Sequence, residues 1–309
     1  MEALRYALLD VFTTKPFGGN QLAVFYDDTN LPTETMQTIA RELNLSETVF
    51  VQTPSDAKKE KRLRIFTPKV ELPMAGHPTI GTAYLLADKG ILDTKEGVNE
   101  WVLEEEVGEI PVKVYREQSR ISKVEMTQPL PEFGEVYQDR QNVADLFSLS
   151  VEDLDPALPI QTVSTGVPFL FIPICTLDAI KKIQFRMDIW EKHFSRNPEI
   201  QHIFTFTTET ENISSTIHSR MFAPAMGISE DPATGNASGS LGAYLVEHAV
   251  VSPVEQETYF IRSEQGFEMG RPSYIDITIG KEGEQYKEVK IGGTSVIIGS
   301  GEICLQTAD

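Results

Sequence analysis

The stretch Glu230-Asp231-Pro232-Ala233-Thr234-Gly235 repeats an earlier one, Glu71-Leu72-Pro73-Met74-Ala75-Gly76, at a constant offset of 159 residues. A helix-like run of small and apolar residues follows each stretch, and Ala83-Tyr84-Leu85 in the first run corresponds to Ala243-Tyr244-Leu245 in the second. Self-similarity at a fixed spacing indicates a duplicated structural unit. We therefore expect two homologous halves.

Two other pairs of segments support the duplication. Arg64-Ile65-Phe66-Thr67-Pro68 corresponds to Arg220-Met221-Phe222-Ala223-Pro224, and Glu106-Val107-Gly108 corresponds to Glu264-Gln265-Gly266. Strand-like alternation surrounds both helical runs, which are apolar on most sides, as is typical of helices that other elements enclose. The sequence therefore predicts an α+β fold of two pseudo-symmetric lobes, each a mostly antiparallel β-roll around a central apolar helix.

The boundary between the lobes is predicted near Pro129 and Pro131, because prolines interrupt a strand ladder. The N-terminal lobe would comprise residues 1–127 and the C-terminal lobe residues 128–309, with the terminal strands able to cross back to the N-terminal lobe. Each lobe is long enough to bury a core of its own.

Composition and charge exclude several classes of function. The chain has 309 residues, 27 of them basic and 46 acidic, which gives a net charge of −19 that disfavours nucleic acid and anionic membrane as partners. It has no apolar run approaching the roughly 20 residues of a membrane span. Two cysteines fit a reducing compartment, and the first residues do not form a secretory signal. We expect a soluble cytoplasmic protein.

Gly76 and Gly235 each deliver the chain into the N-terminus of a predicted helix. Backbone N–H groups and the positive end of the helix dipole are available there. If the two halves face each other, both helix ends would meet in one cleft that could hold a carboxylate or an enolate-like oxyanion. The alternative is that each glycine only makes the turn.

Titratable residues cluster beside these turns. His77 stands where the other half has Asn236, and Asp231 stands where the other half has Leu72, so both depart from the repeat at positions where a duplicated scaffold could be specialised. Glu47 opens a predicted strand, where a solvated carboxylate is the structural alternative. The matched residues Glu71 and Glu230 favour capping or hydrogen bonding to the turn instead.

Three motifs resemble the signature blocks of the PhzF-like phenazine-biosynthesis family. They are Asn44-Leu45-Ser46-Glu47-Thr48-Val49-Phe50, Ala75-Gly76-His77-Pro78-Thr79 and Glu230-Asp231-Pro232-Ala233-Thr234-Gly235-Asn236-Ala237. The likeness extends to Phe17-Gly18-Gly19-Asn20 and Gly292-Gly293, so that it covers essentially the whole chain. It implies the diaminopimelate epimerase-like fold, an active site between the lobes and a homodimer.

The same resemblance implies roles for individual residues. Glu47 corresponds to the general acid/base, His77 to the histidine that positions the substrate, and Asp231 to the matching catalytic aspartate. The turns at Gly76 and Gly235 correspond to the amides that bind the substrate carboxylate.

Asn20 and Asn236 are also expected to contact the substrate. The resemblance is incomplete at Asn236, because better-studied members of the family have a serine at this position. The two proton-shuttling thiols of the related epimerases would fall on Ala75 and Thr234, neither of which is cysteine. Racemisation by two thiols is therefore not expected.

The predicted function is a cofactor-independent isomerase that moves a proton between carbons of a small unsaturated or amino carboxylate, with Glu47 removing and returning the proton. No dinucleotide fingerprint and no paired metal-ligand spacing accompany it, so no cofactor or metal is expected. One alternative is a non-catalytic small-molecule-binding or regulatory protein that keeps the same cleft. Another is a lyase or hydrolase in which Asp231 acts as a second acid.

Overall fold

A computed structural model of the chain describes residues 2–28 and 30–305. The described chain divides into two units. The first contains residues 2–127 and 292–305, and the second contains residues 128–291. None of the described helices is both long enough and apolar enough to cross a membrane.

The N-terminal part of the first unit contains eight strands and two helices. The strands are β1 Glu2–Val11, β2 Asn20–Phe25, β3 Glu47–Gln52, β4 Arg62–Phe66, β5 Glu71–Leu72, β6 Gly97–Glu105, β7 Gly108–Glu117 and β8 Arg120–Thr127, and the helices are α1 Thr33–Leu43 and α2 Gly76–Asp88.

Most of the remaining elements form the second unit. The strands are β9 Glu132–Val136, β10 Gln161–Ser164, β11 Pro168–Pro173, β12 Ile203–Thr207, β13 Ile217–Ala223, β14 Ile228–Asp231, β15 Thr258–Gln265, β16 Ser273–Glu282 and β17 Gln285–Gly293, and the helices are α3 Arg140–Phe147, α4 Leu177–Lys181, α5 Met187–His193 and α6 Gly235–Glu247. The last strand, β18 Ser295–Leu305, belongs to the first unit, where it pairs antiparallel with β1.

The strands of the first unit form a rolled ladder around α2. Strand β2 pairs with β1 antiparallel and with β3 in parallel, β4 pairs with β3 antiparallel and with β6 in parallel, and β7 pairs antiparallel with β6 and β8. Helix α2 packs against β8, β1, β7 and β2, and eleven of its thirteen residues are buried. This burial explains why the helix lacks a polar face.

The second unit repeats this order of pairings. Strand β12 pairs with β11 in parallel and with β13 antiparallel, and β15 pairs with β13 in parallel and with β16 antiparallel. Helix α6 packs on β16, β10 and β11, as α2 packs in the first unit. Both central helices have thirteen residues and begin at the glycine that follows the repeated stretch. The prediction of two β-rolls around central helices is confirmed.

One pair of segments that indicated the duplication was aligned incorrectly from the sequence. It is the pair Glu106-Val107-Gly108 and Glu264-Gln265-Gly266. Glu104 at the end of β6 lies beside Arg62, and Glu264 at the end of β15 lies beside His218. The Glu104 carboxylate accepts from the Ser55 N–H, much as that of Glu264 accepts from the N–H groups of residues 211 and 212. The correct offset here is therefore 160, and Glu105 corresponds to Gln265. The turn after β6 is short and the loop after β15 is long, which displaces the glycines that suggested an offset of 158.

Candidate functional site

Glu47 is positioned by the end of α1. Asn44 adopts the left-handed conformation that ends this helix, with φ 52°, and three residues later Glu47 begins β3 beside Leu22 of β2. Only 7% of the Glu47 surface is exposed. The alternative of a solvated carboxylate is therefore wrong for this residue.

His77 lies in the first turn of α2 and brings two other predicted residues together. Its Nε2 is 3.1 Å from Glu47 Oε2, and its Nδ1 is 3.3 Å from Asn20 Nδ2. The ring also makes a hydrogen bond to the backbone of Gln21, the residue that follows Asn20 in β2.

Burial keeps His77 neutral. The side chain is almost entirely withdrawn from water, and this desolvation lowers its pKa to about 3. At neutral pH the contact between His77 and Glu47 is therefore not an ion pair, because the ring is neutral. His77 therefore contacts Glu47 without carrying a positive charge.

Asn20 is presented by a tightly constrained loop. Phe17 and Gly19 have positive φ angles of 71° and 63°. The Phe17 N–H donates to the buried Asp10 carboxylate at 2.6 Å, and a Cβ at position 19 would lie 2.3 Å from the carbonyl oxygen of Val11. A glycine is therefore required at position 19, and the loop delivers Asn20 into the start of β2.

Asp231 is held in the second unit by the residues of its own turn. It ends β14 and is 4% exposed. The Thr234 hydroxyl donates to Asp231 Oδ2 at 2.5 Å, while Gln265 Nε2 donates to the Asp231 carbonyl oxygen at 2.7 Å and to Thr234 Oγ1 at 3.0 Å. These contacts fix the carboxylate before any ligand binds.

Gly235 and Asn236 form the first turn of α6. Gln128 Nε2 donates to the Gly235 carbonyl oxygen at 3.2 Å, and the Thr165 hydroxyl contacts the Asn236 carbonyl oxygen at 3.3 Å. Within the described residues, the buried side-chain oxygen of Asn236 has no hydrogen-bond partner. An acceptor in this state is suited to a donor group on a ligand.

Neither central helix is capped by the side chain of its N-cap residue, which is Ala75 in α2 and Thr234 in α6. Gly76 and Gly235 are the first residues of these helices, as expected for amides that bind an anion. The structure thus groups Glu47, His77, Asn20 and Gly76 in the first unit, and Asp231, Gly235 and Asn236 in the second.

Glu71 and Glu230 have a structural role in both units. Each accepts two hydrogen bonds from one arginine, Glu71 from Arg64 at 2.7 and 2.6 Å and Glu230 from Arg220 at 2.7 and 2.9 Å. The expectation of a structural carboxylate is correct, but its partner is an arginine of the neighbouring strand and not the turn.

Sequence reasoning missed Glu105 and Gln265, which lie behind the two helix starts. Gln265 Oε1 accepts from the Thr234 N–H at 3.2 Å, and the Glu105 carboxyl accepts from the Ala75 N–H. The available signal was the repeat itself, because an offset of 160 at the end of the strand would have matched these two residues.

Comparison with known proteins places this geometry in a family. A family model described as phenazine biosynthesis-like protein matches residues 9–301. An uncharacterised isomerase of Mesorhizobium japonicum is 36% identical, with 98% of this chain and 99% of the relative covered. A trans-2,3-dihydro-3-hydroxyanthranilate isomerase of Pseudomonas fluorescens is 32% identical, with 97% of this chain and 99% of that protein covered.

The fold agrees with that of a solved structure. A PhzF-family phenazine biosynthesis protein of Bacillus anthracis superposes with a TM-score of 0.89 at 29% identity, with 99% of this chain and 100% of that chain covered. The predicted diaminopimelate epimerase-like fold is confirmed. Because the matches extend over nearly the whole sequence, this chain belongs to the PhzF-like phenazine-biosynthesis family, and it is an isomerase.

Proposed function

We propose that this isomerase works without a cofactor and moves a proton between two carbons of a small unsaturated or amino carboxylate. The observation that carries the proposal is the buried Glu47 carboxylate, which lies 3.1 Å from the neutral His77 ring. The Pseudomonas fluorescens relative is named for a cyclic, unsaturated amino carboxylate. This chemical class is therefore the first to test as substrate.

The proposed reaction uses Glu47 as the only proton carrier. The carboxylate removes a proton from a carbon next to an unsaturated acid or imine, and the electron pair of the broken C–H bond moves into the conjugated system. Glu47 then returns the proton to another carbon, where a new C–H bond forms, so that atoms and electrons balance. His77 lies 3.1 Å from the carboxylate as a neutral ring, and with a pKa of about 3 it does not act as the acid.

The remaining site residues are proposed to bind and orient the substrate. The N–H groups at Gly76 and Gly235 would stabilise the negative charge that develops on carboxylate or enolate oxygens. The fixed Asp231 carboxylate would accept a hydrogen bond from an amino or hydroxyl group of the substrate. Asn20 and Asn236 complete the proposed binding set.

The test is a proton NMR experiment in D2O. Trans-2,3-dihydro-3-hydroxyanthranilate and a set of small unsaturated and amino carboxylates are incubated with the wild type, with Glu47→Gln and with Glu42→Gln. The last is a matched control, because Glu42 is exposed on α1. Loss of a carbon-bound proton signal, or a new product, is expected with the wild type and the control.

Glu47→Gln is expected to abolish this exchange, because an amide cannot accept the proton. Exchange at wild-type rate in Glu47→Gln would contradict the assignment of the proton carrier. Equal line broadening of a ligand in all three proteins, without exchange in any, would favour the non-catalytic binding protein.

A further inference from the structure

Glu105 is a buried carboxyl group behind the start of α2. It is the last residue of β6 and is 3% exposed. The Ala75 N–H donates to the carboxyl, and Oε1 is in hydrogen-bonding contact with Thr79 Oγ1. Within the described part of the chain, Oε2 has no hydrogen-bond partner and no cation pairs with the group.

The hydroxyl of Thr79 determines the protonation state of Glu105. Thr79 Oγ1 also lies 2.5 Å from the carbonyl oxygen of Ala75. A carbonyl oxygen can only accept, so the single hydrogen of the Thr79 hydroxyl is donated to Ala75. The contact with Glu105 Oε1 then needs a hydrogen from Glu105, which only the protonated acid has.

The second unit has a related arrangement in which a permanently neutral group, Gln265, takes the place of Glu105. Ser238, the counterpart of Thr79, donates to the Thr234 carbonyl oxygen at 2.8 Å. Gln265 accepts from the Thr234 N–H through Oε1 and donates through Nε2 to Thr234 Oγ1 at 3.0 Å. A carboxylic acid, like an amide, offers one acceptor and one donor. Glu105 therefore supports the start of α2 as Gln265 supports the start of α6, although Glu105 contacts the Thr79 hydroxyl and Gln265 the hydroxyl of Thr234.

We propose that Glu105 is a neutral carboxylic acid in the working enzyme and is a positioning residue that anchors the start of α2 without placing a negative charge behind its amides. The consequence for binding rests on the proposed function, in which the N–H groups at Gly76 bind the substrate carboxylate. The protonation state itself does not depend on that function.

The electrostatic reason is the dipole of α2. A negative charge at the amino end would offset the positive potential that favours a bound anion. Burial raises the pKa of Glu105 to about 8, although the contact with Thr79 and the hydrogen bond from the Ala75 N–H work against the rise. Loss of the proton above about pH 8 would therefore weaken carboxylate binding.

Other charged groups on the surrounding elements do not account for the loss of carboxylate binding that is expected when Glu105 loses its proton. His77 on α2 is neutral, and Glu104 on β6 is hydrogen-bonded to Ser55. The remaining charged residues of these elements are Asp88 on α2, Glu100 on β6, Arg62 and Arg64 on β4, and Glu109, Lys113, Arg116 and Glu117 on β7. Arg62 contacts Glu104 at 3.7 Å, and Arg64 is bound to Glu71.

The experiment is a carbon NMR titration of protein labelled at the side-chain carboxyl carbon of glutamate, from about pH 5 to about pH 10, without substrate. Wild type, Glu47→Gln, Glu105→Gln and Thr79→Val are compared. One glutamate carbon should titrate near pH 8 in the wild type and in Glu47→Gln, and it should be missing in Glu105→Gln.

Thr79→Val shows whether Glu105 donates to the Thr79 hydroxyl or accepts from it, because the two cases move the midpoint of the Glu105 titration in opposite directions. If Glu105 donates to Thr79, removal of the hydroxyl destabilises the protonated acid and moves the midpoint to lower pH. If an ionised Glu105 accepts from Thr79, the midpoint moves to higher pH, which overturns the proposal. A wild-type spectrum in which no glutamate carbon titrates above neutrality also overturns it, even if Glu105→Gln does not fold.

The link to catalysis has its own readout. With a substrate from the D2O screen, KM of the wild type should rise by up to about tenfold between pH 8 and pH 9 while kcat changes little. KM of Glu105→Gln should stay level over this interval. An equal rise in both proteins would overturn the link between Glu105 and binding. Absence of turnover in every variant, with the titration near pH 8 intact, would contradict the proposed function alone.

Discussion

At His77 the fold converts a residue that usually titrates near neutrality into one that stays neutral. Desolvation is responsible, because the ring lies in the buried first turn of α2, between Asn20 and Glu47. Burial of a neutral ring lowers the stability of the folded protein when the solution becomes acidic.

The stability of the protein should therefore depend on His77 at acidic pH. Its folded pKa of about 3 lies below the ordinary value of 6.5, so the unfolded chain binds more protons between these values. This contribution is present above pH 6.5 and is lost as the pH falls towards 3. Between pH 7 and pH 5 the free energy of unfolding should fall by about 2 kcal/mol more in the wild type than in His77→Gln.

Urea denaturation at each pH measures this difference. His202, whose burial lowers its pKa to about 4, keeps part of the acid dependence in both proteins. Parallel pH dependence of the wild type and His77→Gln would show that His77 is not held neutral by burial.

The central helices show how an element with little amphipathic character is stabilised. Helix α2 is surrounded by strands, and its small residues allow the close approach. A Cβ at Gly81 would lie 2.6 Å from Val11 Cγ2 and 2.7 Å from Leu22 Cδ2. The packing of α2 on β1 and β2 thus depends on the absence of one methyl group.

Gly81→Ala should destabilise the protein by about 1 to 3 kcal/mol, because overpacking forces Val11 and Leu22 to move. This loss should exceed the gain in helix propensity from replacing glycine by alanine. Gly299→Ala is the control, since a Cβ there meets nothing within 4 Å, and it should change the free energy of unfolding by less than about 0.5 kcal/mol. Equal effects of the two substitutions in chemical denaturation would contradict the packing argument.

Across the whole molecule, the duplication provides matched pairs of interactions in different environments. The Arg220–Glu230 pair has side chains that are 8% and 18% exposed, whereas the Arg64–Glu71 pair is 16% and 24% exposed. Arg220 also donates to the carbonyl oxygen of Ile180 at 3.0 Å. Removal of a partner should therefore be costlier in the second unit.

Glu230→Ala is expected to cost about 3 kcal/mol, because it leaves the buried Arg220 guanidinium unpaired. Glu71→Ala should cost about 1 kcal/mol, since Arg64 is nearer to water and retains its contact with Thr33. Thermal or chemical unfolding of the two variants makes the comparison. A larger loss for Glu71→Ala would reverse the order derived from burial.

The sequence alone determined the duplication, the two β-rolls with their central helices, and the family, because repeats, apolar runs and motifs are properties of neighbouring residues. It also indicated Glu47, His77 and Asp231 as candidates. Their side-chain environments depended on tertiary structure. Burial makes His77 neutral, and strand pairing brings Asn20 and Glu47, which are far apart in the chain, to the same ring.

Only the tertiary structure decided the residues behind the helix starts. Glu105 lies 30 residues after Ala75, and the unequal turns after β6 and β15 hide its correspondence to Gln265. The return of β18 to pair with β1 likewise depends on packing between the two ends of the chain. The physical reason is that hydrogen bonds and desolvation act between groups that are close in space, whereas a sequence pattern shows directly only which groups are close along the chain.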